Sequence, residues 1–190
     1  GLERKYMENI AKNEKSAATT SEKIRELAID AVFIALTYVF TAFINIKLPI
    51  AANGGLIHLG NIPLFIAAIV FGWKTGMIAG GIGMGLFDMI SGFWATWAPF
   101  TLVIVGLMGF AVGKITQKRN SYVVNLIAII VAAVIKVVGY YIAEGVIYGN
   151  WVAPVSSIPG NLVQVGVAAI IVLPISVRLK KAAAKIFATK

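Results

Sequence analysis

The residues GIGMGLFDMISGFWATWAP, at positions 81–99, combine the features that decide the fold class. Glycines and large apolar side chains fill the run, one carboxylate stands at Asp88, and two tryptophans follow at Trp94 and Trp97. Such a run suits a lipid environment, and tryptophans suit its boundary with water. A charged side chain inside a membrane is costly unless it faces a partner or a cavity. We therefore expect Asp88 to face away from lipid.

The whole chain has the composition of an integral membrane protein. Of its 190 residues, 59% are hydrophobic and only 13% are charged, a balance that water-soluble domains do not show. The sequence has no cysteine and a single histidine, which excludes a disulfide framework and a metal centre built from several histidines or cysteines. We predict that the protein carries no metal and no cofactor.

Apolar segments, separated by short polar or glycine- and proline-containing breaks, divide the chain. They lie at residues 26–46, 61–71, 74–91, 97–116, 122–146 and 158–178. Each is apolar on every face, which predicts helices, because helices satisfy their own backbone hydrogen bonds. The second is shorter than the roughly 20 residues that span a bilayer, so it is either a short tilted helix or one that enters partway. The predicted fold class is an all-α membrane protein with six transmembrane helices.

The positive charges predict the orientation of these helices. Fifteen of the 17 lysines and arginines lie in the chain ends or in the connections that six crossings place on one side, and Lys47 and Lys136 are the exceptions. Because lysine and arginine accumulate in cytoplasmic connections, both termini are predicted to be cytoplasmic. The net charge of +9 follows from this topology, so no nucleic-acid partner is predicted.

The predicted topology gives three parts. These are a cytoplasmic N-terminal tail at residues 1–25, a six-helix membrane domain at 26–178 and a basic cytoplasmic C-terminal tail at 179–190. No short apolar run precedes a small-residue cleavage site, so we expect no removable signal peptide. Met7 has the sequence context of a natural start, so residues 1–6 are expected to be a cloning remnant.

Polar side chains in the third to sixth segments are predicted to line a pocket near the outer surface. The candidate ligand-binding residues there are Asp88, Trp94, Trp97, Thr101, Lys136, Tyr140, Glu144, Asn161 and Gln164. Lys136, Tyr140 and Glu144 follow one another at four-residue intervals, which places them on one helix face. Trp97 and Thr101 share a face in the same way, and an aromatic wall beside polar groups suits a flat ring.

Other interpretations of these residues remain open. Lys136 could extend toward the interface, or pair with Asp88 or Glu144 only to hold the helices in register. Trp94 and Trp97 equally suit interfacial anchors. His58 lies in the connection at 48–61, where Pro49, Asn53, Gly54 and Gly55 mark turns. With Asn61 it is a candidate to cap the pocket, and the alternative is a solvated loop histidine.

Small residues at intervals of three or four suggest two helix-packing surfaces. The glycines at positions 76 and 80, and at 81 and 85, predict a close approach of the third segment to another helix. Ala28, Ala31 and Ala35 give the first segment a smooth face. That face either packs inside the protein or docks a partner within the membrane.

Enzymatic chemistry has no support in the sequence. The single histidine lies in a connection, no catalytic Ser/His/Asp set can be assembled, and no phosphate-binding loop with its lysine exists. The chain is therefore predicted to be non-catalytic. Besides a binding protein, two classes remain open: a secondary transporter or channel that uses Asp88, Lys136 and Glu144 to relay protons, and a membrane scaffold.

Residues 58–115 resemble the substrate-binding S components of energy-coupling factor (ECF) vitamin transporters. The resemblance is closest to the branch linked to hydroxymethylpyrimidine or vitamin B6. Its most specific part is the element FD-x-x-SG…WAP-x-T, formed by Phe87, Asp88, Ser91, Gly92, Trp97, Ala98, Pro99 and Thr101. It implies a six-helix protein with both termini inside, which binds a hydroxymethylpyrimidine- or pyridoxine-like compound near the outer surface. Thiamine and riboflavin remain alternative substrates.

The same resemblance implies partners and a location. S components of this family associate with a membrane coupling subunit and two ATP-binding cassette ATPases, and topple in the membrane to release their cargo inside. The family docks through an Ala-x-x-x-Ala face on the first helix, which Ala31 and Ala35 match. The expected location is the bacterial plasma membrane, with several crossings of the bilayer.

Overall fold

The computed structural model describes residues 1–49 and 56–187, so the predicted turns at Asn53, Gly54 and Gly55 lie outside the described residues. Within these ranges the chain forms six helices: α1 (Leu2–Phe43), α2 (Asn61–Ile66), α3 (Trp73–Ile90), α4 (Ala98–Thr116), α5 (Tyr122–Tyr148) and α6 (Ile158–Ile186). A π-helical stretch (Ala67–Phe71) extends α2, and short 3-10 turns (Ala95–Trp97 and Ala153–Ser157) precede α4 and α6. The prediction of a helical fold is confirmed.

Four of these helices are long and apolar enough to cross a membrane. They are α1, α4, α5 and α6, where α4 and α6 are counted together with the 3-10 turns that precede them. α2 with its π-helical extension is apolar but short. α3 has 18 residues, yet its glycines, Lys74 and Asp88 lower its mean hydropathy. The structure therefore shows six helices with four candidate spans, and six crossings remain a prediction.

The two ends of the chain are more helical than the predicted tails. α1 begins at Leu2, so the polar residues up to Arg25 continue the first helix, and almost all of them are exposed. α6 continues to Ile186. The guanidinium of Arg25 donates a hydrogen bond to the backbone oxygen of Phe187 at 3.3 Å. The segments that flank the apolar helices thus meet at one end of the bundle.

The first predicted segment ends too late. α1 stops at Phe43. Residues 44–46 were expected to be helical, but residue 44 is extended and residues 45 and 46 belong to a short strand. Strand β1 (Asn45–Lys47) pairs antiparallel with β2 (Leu56–His58), with Ile46 opposite Ile57. Branched side chains favour extended backbone, and Ile57 is fully buried beneath the bundle end. The hairpin formed by β1 and β2 therefore starts within the first predicted segment and ends in the predicted connection.

Glycines hold α3 against α4, as their spacing predicts. A Cβ added to Gly81 would lie 2.9 Å from the backbone oxygen of Leu102, and one on Gly109 would strike the backbone of Gly76. On another side of α3, a Cβ on Gly83 would lie 2.8 Å from the side chain of Thr37 in α1. Without side chains at these points the helix backbones approach closely, which maximises van der Waals contact where lipid offers no hydrophobic advantage.

Candidate ligand-binding site

A cavity of about 490 Å³ lies at the end of the bundle where α1, α3 and α5 end and α4 and α6 begin. Its volume falls in the range of pockets that hold small organic ligands. The residues that line it are Thr41, Ala42, Asn45, His58, Met84, Phe87, Asp88, Trp94, Trp97, Thr101, Lys136, Tyr140, Glu144, Ser157, Asn161 and Gln164. The structure thus brings together ten of the eleven candidate ligand-binding residues, and their role in binding remains a prediction.

Asn61 is the candidate that does not line the cavity. It begins α2 and is fully buried, and its Oδ1 and Nδ2 have no hydrogen-bond partner among the described residues. The preceding Gly60 packs against Thr41 and Met84, both of which line the cavity. Asn61 therefore lies behind the cavity wall, because the strand that carries His58 turns into α2 at this point.

The turn after α3 explains the spacing of Asp88, Ser91 and Gly92 in the sequence. Ser91 Oγ donates to the backbone oxygen of Asp88 at 2.9 Å and accepts from the backbone N–H of Trp94 at 3.2 Å. Gly92 has a φ of +73°, which disfavours residues with a side chain. The turn ends α3 just beyond Asp88 and brings Trp94 and Trp97 to the same cavity.

Two hydrogen-bonded groups hold the carboxylates in place. Thr101 Oγ1 donates to Asp88 Oδ2 at 2.5 Å and lies 2.8 Å from the hydroxyl of Tyr140. Since the only proton on Thr101 Oγ1 is used by Asp88, the Tyr140 hydroxyl donates to Thr101. Ser157 Oγ donates to Glu144 Oε2 at 2.6 Å. The first group links α3, α4 and α5, and the second joins α5 to the turn before α6.

Lys136 is the cation of the cavity and has no carboxylate partner in the structure. Lys136 is only 2% exposed, and it lines the cavity together with Asp88 and Glu144. The one ion pair formed within residues 1–49 and 56–187 joins Arg4 to Glu8 in the exposed part of α1. The alternative in which Lys136 pairs with a carboxylate to hold the helices in register is therefore not observed.

The two tryptophans occupy different environments. Trp97 is 9% exposed, and its ring centroid lies 5.1 Å from that of Trp94 and 5.9 Å from that of Tyr148. The ring of Phe93 stacks on that of Trp97, with 6.3 Å between the two centroids. Trp94 is 40% exposed. Trp97 is thus a buried part of the cavity wall, whereas the exposure of Trp94 also suits an interfacial anchor.

His58 is a half-buried neutral side chain that lines the cavity, rather than a solvated loop residue. Its Nδ1 accepts a hydrogen bond from the backbone N–H of Gly60 at 3.3 Å, so in the neutral ring the proton is on Nε2. Burial, followed by the positive charge of Lys136, lowers the pKa of His58 to about 3. At neutral pH the ring therefore contributes a donor and no charge to the cavity wall.

Comparison with known proteins assigns the family. Residues 21–181 match the sequence model of the family described as "ECF-type riboflavin transporter, S component". The chain belongs to this family. The resemblance predicted from residues 58–115 is confirmed.

The chain is also similar to two curated relatives and to one solved structure. The S component is 28% identical over 145 residues to the thiamine precursor transporter HmpT of Lactococcus lactis subsp. cremoris (strain MG1363), covering 76% of this chain and 81% of that protein. It is 35% identical over 104 residues to an uncharacterized protein of Pyrococcus woesei, covering 55% and 69% of the two chains. A structure described under "Structure and mechanism of the S component of a bacterial ECF transporter" matches with a TM-score of 0.65 at 17% identity, covering 88% and 99%. The last match shows a shared fold.

The alanine face of this S component points away from its own helices. Ala28, Ala31 and Ala35 are all exposed, whereas Thr37 and Thr41 on another face of α1 are buried. Internal packing of the three alanines is therefore not observed. The smooth face on α1 remains uncovered within the described part of the S component.

Six cavity residues of the S component were not predicted from the sequence. They are Thr41, Ala42, Asn45, Met84, Phe87 and Ser157. Met84 stands four residues before Asp88 in α3, so helical spacing could have identified it, whereas Asn45 lies in β1, beyond the end of α1. Ser157 gave no such signal, because it reaches Glu144 only through the 3-10 turn that precedes α6.

Proposed function

We propose that this S component is the high-affinity substrate-binding subunit of an ATP-driven ECF vitamin importer. Its cargo is a small ring compound of the hydroxymethylpyrimidine or pyridoxine class. The observation that carries the proposal is the cavity at one end of the bundle, which joins a tryptophan-containing wall to two carboxylates and three amides. The similarity to a thiamine precursor transporter supports a small ring compound as the cargo.

The cavity faces the outside in this proposal. Lys74 lies in the first turn of α3, and Lys118 and Arg119 connect α4 to α5, so all three lie at the opposite end of the bundle from the cavity. The basic ends of α1 and α6 lie there as well. By the positive-inside rule that end is cytoplasmic, with six crossings and both termini inside a plasma membrane. A vitamin would then enter the cavity directly from the exterior.

Binding and energy conversion reside in different chains. S components of ECF systems work with a transmembrane coupling subunit and ATPases. We propose that α1 docks the coupling subunit through Ala28, Ala31 and Ala35, whose small side chains allow close helix contact. The subunit itself catalyses no reaction, and ATP hydrolysis by the two ATPases drives release of the cargo inside.

The cavity offers complementary contacts to a flat polar ring. Trp97 contributes an aromatic wall, and Asn161 and Gln164 offer donors and acceptors for the ring edge. Asp88 uses one oxygen to accept from Thr101, and its other oxygen has no partner among the described residues. An amine, a ring N–H or a hydroxymethyl group of the ligand would donate to this free oxygen.

We expect Asp88→Asn to weaken ligand binding by about 10- to 100-fold. A hydrogen bond to a charged group contributes about 1.5–3 kcal/mol, which corresponds to that range of affinity. Trp94 and Trp97 line the cavity, so intrinsic tryptophan fluorescence reports its occupancy. The measurement is a fluorescence titration of the detergent-purified protein with pyridoxine, pyridoxal, hydroxymethylpyrimidine and thiamine.

Asp30→Asn is the matched control for this experiment. Asp30 is also a helical carboxylate that accepts from a threonine, Thr75, at 2.7 Å, but it lies outside the cavity. We expect this variant to bind like the wild type. Equal losses in the two variants would assign the effect of Asp88 to stability. A flat response of the wild type to all four compounds would contradict the proposed cargo.

A further inference from the structure

Lys136 differs from the other charged groups of the cavity because it has no partner. Asp88 accepts from Thr101, and Glu144 accepts from Ser157. Lys136 is 2% exposed, and within the described ranges it forms neither a hydrogen bond nor an ion pair. A buried ammonium without an anion is unfavourable, and it is normally neutralised or paired. The wall of the cavity therefore presents a buried ammonium that an anionic group of a ligand would neutralise.

The indole N–H of Trp97 is a second donor without an acceptor. Nε1 is buried and has no hydrogen-bond partner in the described part of the chain, although Trp97 lines the cavity. The other residues with such unpartnered atoms, namely Thr37, Asn61 and Asn125, do not line it. Buried polar groups are almost always paired in native proteins. Lys136 and Trp97 therefore both present a donor without an acceptor to the same cavity.

From these two donors we infer that the ligand is a ring that carries an anionic oxygen, as a hydroxylated pyridine does, and that Lys136 binds this oxygen. The inference rests on the proposed function and narrows its substrate class. In its zwitterionic tautomer, a 3-hydroxypyridine such as pyridoxine carries a negative oxygen and a protonated ring nitrogen. The negative oxygen accepts a hydrogen bond from the ammonium of Lys136, and the ring N–H donates to a carboxylate of the cavity. A further oxygen of the ligand accepts from the indole N–H of Trp97.

Two other ligand classes fit these charges less well. An aminopyrimidine offers only neutral ring nitrogens to Lys136, so the ammonium would remain without a counter-charge. A phosphate ester brings two negative charges into a cavity that already contains Asp88 and Glu144, and like charges at short range repel. One cation beside two hydrogen-bonded carboxylates is matched by a ligand that has both a negative and a positive site.

The test compares ligands that differ by the single oxygen. Wild type and Lys136→Met are titrated with pyridoxine, with 4,5-bis(hydroxymethyl)-2-methylpyridine, which lacks the ring hydroxyl, and with hydroxymethylpyrimidine. We expect the wild type to bind pyridoxine at least tenfold more tightly than either other compound. In Lys136→Met the preference for the hydroxylated ring should fall below threefold. Trp97→Phe keeps an aromatic ring without the N–H, and should weaken pyridoxine binding several-fold.

The outcomes separate this inference from the proposed function. Equal binding of the two pyridines by the wild type, tighter binding of hydroxymethylpyrimidine, or an undiminished preference in Lys136→Met would each overturn the inference and leave a vitamin-binding subunit. Failure of all three compounds to bind would contradict the proposed cargo itself. If Lys136→Met does not fold, the wild-type comparison of the two pyridines decides alone.

Discussion

Replacing Ala31 with tryptophan is expected to abolish assembly with the coupling subunit while ligand affinity changes by less than about twofold. Ala31 lies at the centre of the exposed face that Ala28 and Ala35 complete. Small residues at this spacing let two helix backbones come close, and an indole would hold them apart and remove most of the contact. Ala31 does not line the cavity. The measurement is co-purification with a tagged coupling subunit, together with the fluorescence titration of the variant alone.

Val134→Trp is the matched control for the docking prediction. Val134 is 57% exposed on α5 and also lies outside the cavity. It therefore accepts an indole at a lipid-facing position on a different helix, and assembly should persist. Undiminished complex formation by Ala31→Trp would contradict the docking assignment. Loss of assembly in both variants would show that any added bulk within the membrane disrupts the complex.

Replacing Gly109 with alanine is expected to destabilise the protein by about 3 kcal/mol or to prevent folding, at the upper end of the range for overpacked cores. A Cβ at this position would strike the backbone carbonyl of Gly76 and would lie 2.7 Å from the backbone N of Met77. Backbone atoms cannot rotate away as a side chain does, so α3 and α4 would have to separate. The measurement is the midpoint of thermal unfolding in detergent, with size-exclusion chromatography as the check on folding.

Gly166→Ala provides the control for this second prediction. Gly166 lies inside α6, is exposed, and an added Cβ there would meet no atom within 4 Å. Alanine is favoured over glycine in helix interiors by about 0.5–1 kcal/mol, so the unfolding midpoint should stay the same or rise. Similar midpoints for Gly109→Ala and the wild type would show that the α3–α4 contact is looser than the structure indicates.

The sequence predicts those features of this protein that depend on local spacing. Runs of apolar residues locate the helices within a few positions, because a membrane requires continuous apolar segments. Four-residue intervals place Lys136, Tyr140 and Glu144 on one helix face, and the structure brings all three to the cavity. The glycine spacings of α3 likewise identify a tight helix contact. These signals involve one helix at a time.

Features that depend on contacts between elements were not predictable in this way. Asn61 and His58 are three residues apart, and only the hairpin and the turn into α2 direct one behind the cavity wall and the other to its lining. Ser157 meets Glu144 across a turn that no periodicity describes. The lack of a partner for Lys136 is equally a matter of distances between helices. Hydropathy also gave no indication that α1 continues to Leu2, because charged residues form helices in water as well.

The proposed binding site and the proposed docking surface occupy different parts of the bundle. The cavity lies at the end where α3 and α5 finish, and the uncovered alanines lie on the side of α1. In the proposed function this subunit binds its ligand without partners, and the coupling subunit and ATPases supply the energy for transport. Ligand binding and docking can therefore be measured separately in reconstituted membranes.

Uptake of tritiated pyridoxine into proteoliposomes is the most direct test of this account. The protein is reconstituted alone, and with the coupling subunit and ATPases of its transporter, with and without ATP on the ATPase side. The account predicts saturable binding but no accumulation for the chain alone, and accumulation only when the coupling partners and ATP are both present. Accumulation by the chain alone, driven by a proton gradient and lost in Asp88→Asn, would contradict it and establish a secondary transporter.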